Sequence, residues 1–89
     1  MNMLNLDLEK AQIMRKLARK DNWGAKYDRT EHFKWFQNLD QCVKELEKIG
    51  WILIHKKGKF TGLSLNTQHK TEIRNFIVLH IPEMREGIK

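Results

Sequence analysis

The chain has a single cysteine and a single proline in 89 residues, and it has no long apolar run. With Cys42 alone, no internal disulfide can close, and no cysteine-based zinc site can assemble within one chain. No stretch is long and apolar enough to span a bilayer. The beginning, MNMLNLDLEK, carries acids early and lacks the apolar run of a signal peptide, so the expectation is a cytoplasmic protein without a membrane partner. There is no internal repeat and no low-complexity tract. Acids are also scarce: 17 Lys and Arg stand against 11 Asp and Glu, a formal charge of +6. A basic balance favours phosphate-rich partners at long range and says nothing about fold. The plainer reading of the same charge is solubility.

The length fits one domain, expected over residues 1–81 with a loose tail over 82–89. Asn5 is placed to cap a first helix, with Asp7 and Glu9 near its positive end. Leu6, Ile13 and Leu17 share one face, with Ala11, Met14 and Ala18 beside them. Arg15, Lys16, Arg19 and Lys20 gather toward the other end. Asp21, Asn22 and Gly24 then break the helix. Residues 23–36 hold most of the aromatics: Trp23, Tyr27, Phe33, Trp35 and Phe36. Asp28 and Glu31 stand at capping-box spacing, which predicts a short helix over about 29–36. Phe33 and Phe36 are expected in the core, whereas an exposed Trp23, Tyr27 or Trp35 near basic residues would serve as a stacking surface.

Asn38 and Gln41 repeat the capping-box spacing and open a third helix. Its stripe is Leu39, Cys42, Val43, Leu46 and Ile49, and Gly50 is placed as its stop. Cys42 reads as a small buried apolar residue. Residues 51–56 are β-branched and aromatic and read as a strand, with Ile52 and Ile54 on one side and Leu53 and His55 on the other. Lys57-Gly58 is expected to form a tight turn, using glycine's tolerance of positive φ. Residues 60–65 return, with Leu63 and Leu65 on one face. Asn66 or Thr67 caps a last helix bearing Ile73, Phe76, Ile77 and His80, which Pro82 ends. The four histidines show no metal-ligand spacing and no cofactor motif is present, so neither a metal site nor a cofactor is expected.

The order helix, helix, helix, hairpin, helix resembles the winged helix-turn-helix family, in particular small archaeal members of unassigned role. The matching pieces are Trp23-Gly24, Lys26, Gly50-Trp51 and Gly62-Leu63-Ser64-Leu65-Asn66, and the resemblance covers about residues 6–77. It implies an α+β, mostly helical fold with three N-terminal helices, a two-stranded β-hairpin wing and a C-terminal helix. It also implies double-stranded DNA binding of the transcription-regulator kind, with dimerisation through the first or last helix. By position, Gln41, Lys44 and Lys48 on the third helix would face the major groove. Lys56, Lys57 and Lys59 would meet phosphates from the wing, and Lys26, Arg29 and Lys34 from the other side. No acid occurs between Lys48 and Thr71, a window that contains the whole hairpin. Lysines also block edge-to-edge strand pairing, which is the structural alternative for that window. Asp40, Glu45 and Glu47 lie on the exposed side of the third helix and weaken the case for base readout there. RNA or protein contacts are therefore the second reading. A further alternative is a resemblance of KELEKIGWILIHKKGKF to the HicA-type messenger-RNA interferases. The place of their motif histidine here reads Gly58-Lys59-Phe60, and only His55, upstream, could act in its stead.

Overall fold

The computed structural model describes residues 6–81. Within them the chain is α+β: three α-helices and a three-stranded antiparallel sheet. Helix α1 spans Asp7–Arg19, and strand β1 is the pair Asp28–Arg29, followed by a 3-10 turn over Thr30–Phe33. Helix α2 spans Leu39–Lys48, strands β2 and β3 span Ile52–Lys56 and Thr61–Leu65, and α3 spans Lys70–His80 after a second 3-10 turn, Thr67–His69. The sheet order is β1-β3-β2, with Ile54 opposite Leu63 in one pairing and Asp28 opposite Leu63 in the other.

Helix α1 buries Ala11, Ile13, Met14 and Leu17 against α3, β3 and α2. Leu6 occupies its N-cap position, so the cap expected from Asn5 falls outside the described residues. Ile73, Ile77, Cys42, Val43 and Leu46 complete the helical side of the core, while Ile52, Leu63 and Leu65 supply the inner face of the sheet. Helix α2 ends in a Schellman arrangement. Gly50, at φ 84°, donates its N–H to the Glu47 carbonyl, and Trp51 donates to Leu46. The chain leaves the helical path there, and Ile49, expected in the buried stripe, is 53% exposed at the C-cap.

Both expected capping boxes are replaced by tertiary contacts. At α2 the Asn38 N–H donates to Glu9 Oε2 (2.7 Å) and its side-chain amide donates to Glu9 Oε1 (3.0 Å). The carboxylate that satisfies this helix start thus comes from α1, and Gln41 instead donates to Glu45. At the other site Asp28 makes no helix cap. It is buried in β1, where Oδ1 accepts from the Arg29 N–H and meets His32 Nδ1, and Oδ2 faces Lys16 of α1 and Lys20 at its C-cap, at 4.0 and 3.8 Å. Pairing with β3 holds Asp28 and Arg29 extended, so the helix expected over 29–36 contracts to the single 3-10 turn. The same pairing makes the sheet three-stranded where two strands were expected. Phe33 is fully buried from that turn, worth about 2 kcal/mol of apolar transfer, and Phe36 packs beside it with ring centroids 6.2 Å apart.

The β2–β3 turn also differs in detail. Lys57 donates to the Phe60 carbonyl at 2.9 Å, so the turn centres on Gly58-Lys59, and Gly58 does not adopt positive φ. Helix α3 begins at Lys70 because Asn66 caps the preceding 3-10 turn, accepting from Gln68 N–H while its amide donates to the Gly50 carbonyl. Helix α3 stops at His80, next to Ile81; Pro82 and the tail lie outside the described residues.

Residues 22–27 pair with the end of β3 at its edge and then cross its outer face. Leu65 N–H donates to the Asn22 carbonyl and Gly24 N–H to the Leu65 carbonyl. The Ser64 hydroxyl donates to the Gly24 carbonyl at 2.8 Å and therefore accepts from His55 Nε2–H at 2.9 Å. The Tyr27 ring stacks on His55 (centroids 4.9 Å) and lies directly over Gly62, where any Cβ would run into it. Gly62→Ala is therefore expected to lower unfolding free energy by about 2 kcal/mol, measured by urea denaturation, through displacement of Tyr27. An unchanged midpoint would show that the ring gives way freely.

Asp28 has a pH consequence. Burial works to raise its pKa, but the His32 hydrogen bond, the Arg29 N–H and the charges of His32 and Lys20 more than offset it. The carboxyl lies below its ordinary 3.8. A carboxyl lowered on folding stabilises the fold above its unfolded pKa and loses that contribution as pH falls through the folded value. The stability gap between the parent and Asp28→Asn is thus expected to be full at pH 6 and to shrink below about pH 4. Urea midpoints across that range measure it, and a gap independent of pH would contradict the assignment.

Candidate nucleic-acid interface

An open groove of about 640 Å³ runs between the 3-10 turn and α2 on one side and the β2–β3 hairpin on the other. Its rim carries Lys34, Lys44, Lys56 and Lys59, which reach it from three different elements. Its floor is apolar: Leu39, Val43, Ile54, Phe60 and Leu63. The local reasons are simple. The α2 stripe turns Val43 inward and leaves Lys44, one residue on, at the surface. The strand alternation turns Ile52 and Ile54 toward the core side and brings Lys56, the last residue of the strand on the same face, into solvent.

Every basic residue expected to contact nucleic acid is exposed, and so is Gln41, but they do not form one surface. Lys34, Lys44, Lys56 and Lys59 converge on the groove, and Gln41 lines the depression that continues from it past Lys34 and Asp40. Lys26, Arg29, Lys48 and Lys57 do not line that groove. Lys26 is 3.8 Å from Asp21, and Arg29 is 3.6 Å from Glu31 with its guanidinium over the Phe60 ring. Lys57 sits over Tyr27 at 5.5 Å. Among the described residues, Lys34, Lys44, Lys48, Lys56 and Lys59 make no ion pair, so their charges stay available to a partner.

The acids of α2 are unequal. Glu45 is held by Lys10 of α1, and the hydrogen bonds from Lys10 and Gln41 keep its carboxyl below the ordinary range. Lys10 thereby neutralises one of the three acids noted on this face. The sequence carries no sign of that, since the partners lie on helices far apart in the chain. The same contact ties the Gln41 amide to Glu45 at 3.1 Å, so Gln41 must leave it to read a base edge. Asp40, in the first turn of α2, lines the groove with no partner of this kind among the described residues, whereas Glu31, which also lines it, is paired with Arg29. The groove is thus cationic at its rim, with one unanswered acid at the helix N-terminus.

Cys42 lies in the core as expected. Burial, then the neighbouring Glu9 charge, pushes its thiol up to about 11 against the pull of Lys10, which leaves it protonated and inert at neutral pH. His55 is engaged by Ser64 and stacked under Tyr27 on the outer sheet face. Among the described residues no cluster of His, Cys, Asp or Glu has the arrangement of a metal site, and no helix is long and apolar enough to cross a membrane. Trp35 is the aromatic left in the open, 65% exposed, while Trp23 packs against the core and Tyr27 covers the sheet. In comparisons with known proteins, no family model, curated protein or solved structure matches the chain.

Proposed function

We propose that this protein is a nucleic-acid-binding module of the winged-helix kind that holds double-stranded DNA between α2 and the β2–β3 hairpin. The observation that carries the reading is the convergence of Lys34, Lys44, Lys56 and Lys59, none in an ion pair among the described residues, on one groove rim. Four cations brought together from three elements track a phosphate backbone better than they serve one another, since each adds repulsion to the isolated fold. The sheet order β1-β3-β2, with a short strand between the first two helical segments, is compatible with a winged-helix arrangement whose second helix is reduced to one turn. Contacts are expected chiefly with the backbone. Gln41 is engaged by Glu45, and Glu47 remains at the surface, so α2 is poorly suited to discriminate bases. Pairing of two copies through α1 or α3 belongs to the same reading, supported by the exposed Leu8 and Leu79.

A second reading is favoured by the groove floor. Leu39, Val43, Ile54 and Phe60 offer an apolar surface that a protein segment would bury and that a phosphate backbone would not. Salt dependence separates the two. Binding of a duplex through the rim lysines is expected to weaken steeply with salt, and replacing Lys44, Lys56 and Lys59 by Ala should flatten the log–log slope by roughly 0.9 per lost phosphate contact. Fluorescence anisotropy with a labelled duplex measures it. No duplex binding in low salt, or a slope unchanged in the triple variant, would reject the proposed interface.

A further inference from the structure

A larger cleft lies on another side of the domain, about 940 Å³ in volume, between the outer face of α1 and the turn that follows the first 3-10 segment. Arg15, Lys16, Arg19 and Lys20 line one wall, and Trp35 lines the other. Its volume is near the upper end of ligand-sized clefts, roughly 300–1,000 Å³. The four cations are not equally free. Lys16 is pinned, 4.0 Å from Asp28 and over both the Phe33 and Trp35 rings at 5.1 and 5.2 Å. Lys20 lies 3.8 Å from the same carboxylate. Among the described residues Arg15 and Arg19 make no ion pair, and the Arg15 Nε, buried, has no hydrogen-bond acceptor. Arg15 and Arg19 on the cleft wall are therefore free to take an anion that enters it. The one acid lining the cleft, Glu9, already uses both oxygens on Asn38.

Two independent features therefore meet in this cleft: guanidinium groups with no ion-pair partner among the described residues, and an indole that stays 65% exposed even with Lys16 over it. A plain anion site would need only the first, and apolar packing would hide the second. A nucleotide outside a duplex presents both a phosphate and an unstacked aromatic face. We propose that the α1–Trp35 cleft binds single-stranded nucleic acid, with a base stacked on Trp35 and the adjoining phosphate held by Arg15 and Arg19. The site uses none of the rim lysines of the hairpin groove. It does connect to that groove along the surface, because Phe36 and Gln37 line both the cleft and the depression that leads through Lys34, Leu39 and Asp40. A strand leaving a bound duplex would have a continuous path to it.

The probe is a ten-thymidine oligonucleotide, with binding read from quenching of tryptophan emission and from anisotropy of a labelled strand. Trp35→Ala is expected to weaken binding roughly tenfold, the loss of one stacked base, while Trp35→Phe retains most of it. Arg19→Ala, at an exposed position, should weaken binding and reduce the salt slope by about 0.7. The Lys44, Lys56 and Lys59 triple variant should keep its oligonucleotide affinity whatever its duplex affinity becomes, which separates failure of this site from failure of the groove. The proposal is overturned if the oligonucleotide does not bind, if Trp35→Ala and Arg19→Ala both bind like the parent, if only the triple variant loses binding, or if inorganic phosphate at equal concentration competes fully, which would reduce the cleft to an anion site.

Discussion

Strand β3 is covered on both faces, and the rest of the molecule is arranged around that fact. Its inward side chains, Leu63 and Leu65, meet the helices; its outward positions, Gly62 and Ser64, lie beneath Tyr27 and Gly24. A strand buried on both sides needs a small residue wherever another segment crosses it closely, and a satisfied hydroxyl wherever a polar atom is enclosed. Gly62 meets the first requirement under Tyr27, and Ser64 meets the second between Gly24 and His55. Because β3 is fixed this way, β1 has an edge to pair with, and β1 in turn carries Asp28 to Lys16 and Lys20 at the end of α1.

This arrangement sorts the cations into two kinds. Lys10, Lys16, Lys20 and Arg29 are drawn toward acids or rings and serve the fold. Lys34, Lys44, Lys56 and Lys59 are left on the groove rim, and Arg15 and Arg19 in the α1 cleft, with no counter-charge among the described residues. Net charge alone does not distinguish the two groups. Partnering does, and partnering follows from which elements the β1-β3-β2 order brings side by side.

Much of the helical and strand periodicity could be read directly from the chain. The α1 face with Ile13 and Leu17, the α2 stripe through Leu46, the Gly50 stop and the Leu63–Leu65 alternation depend on local spacing, and they appear where that spacing puts them. What the spacing could not reveal involves partners distant in sequence. Glu9 displaces Gln41 at the start of α2, β3 draws Asp28 and Arg29 out of a helix, and Lys10 quiets Glu45. In each case a local signal, the capping box or an exposed acid, was outweighed by a contact across the fold. The candidate site divides the same way. The exposure of each basic residue followed from amphipathic pattern, whereas the convergence of Lys34 with Lys44, Lys56 and Lys59, and the openness of Trp35 beside α1, required the tertiary arrangement.

The central claim is that the groove between α2 and the hairpin is where a nucleic-acid backbone lies. Amide chemical-shift mapping by NMR during titration with a short blunt duplex tests it most directly, because it locates contact residue by residue without altering the protein. The account predicts that the largest shifts fall on Lys34, Lys44, Lys56, Lys59 and their immediate neighbours, with little change along α3. Shifts concentrated on α3, or none at saturating duplex in low salt, would contradict it.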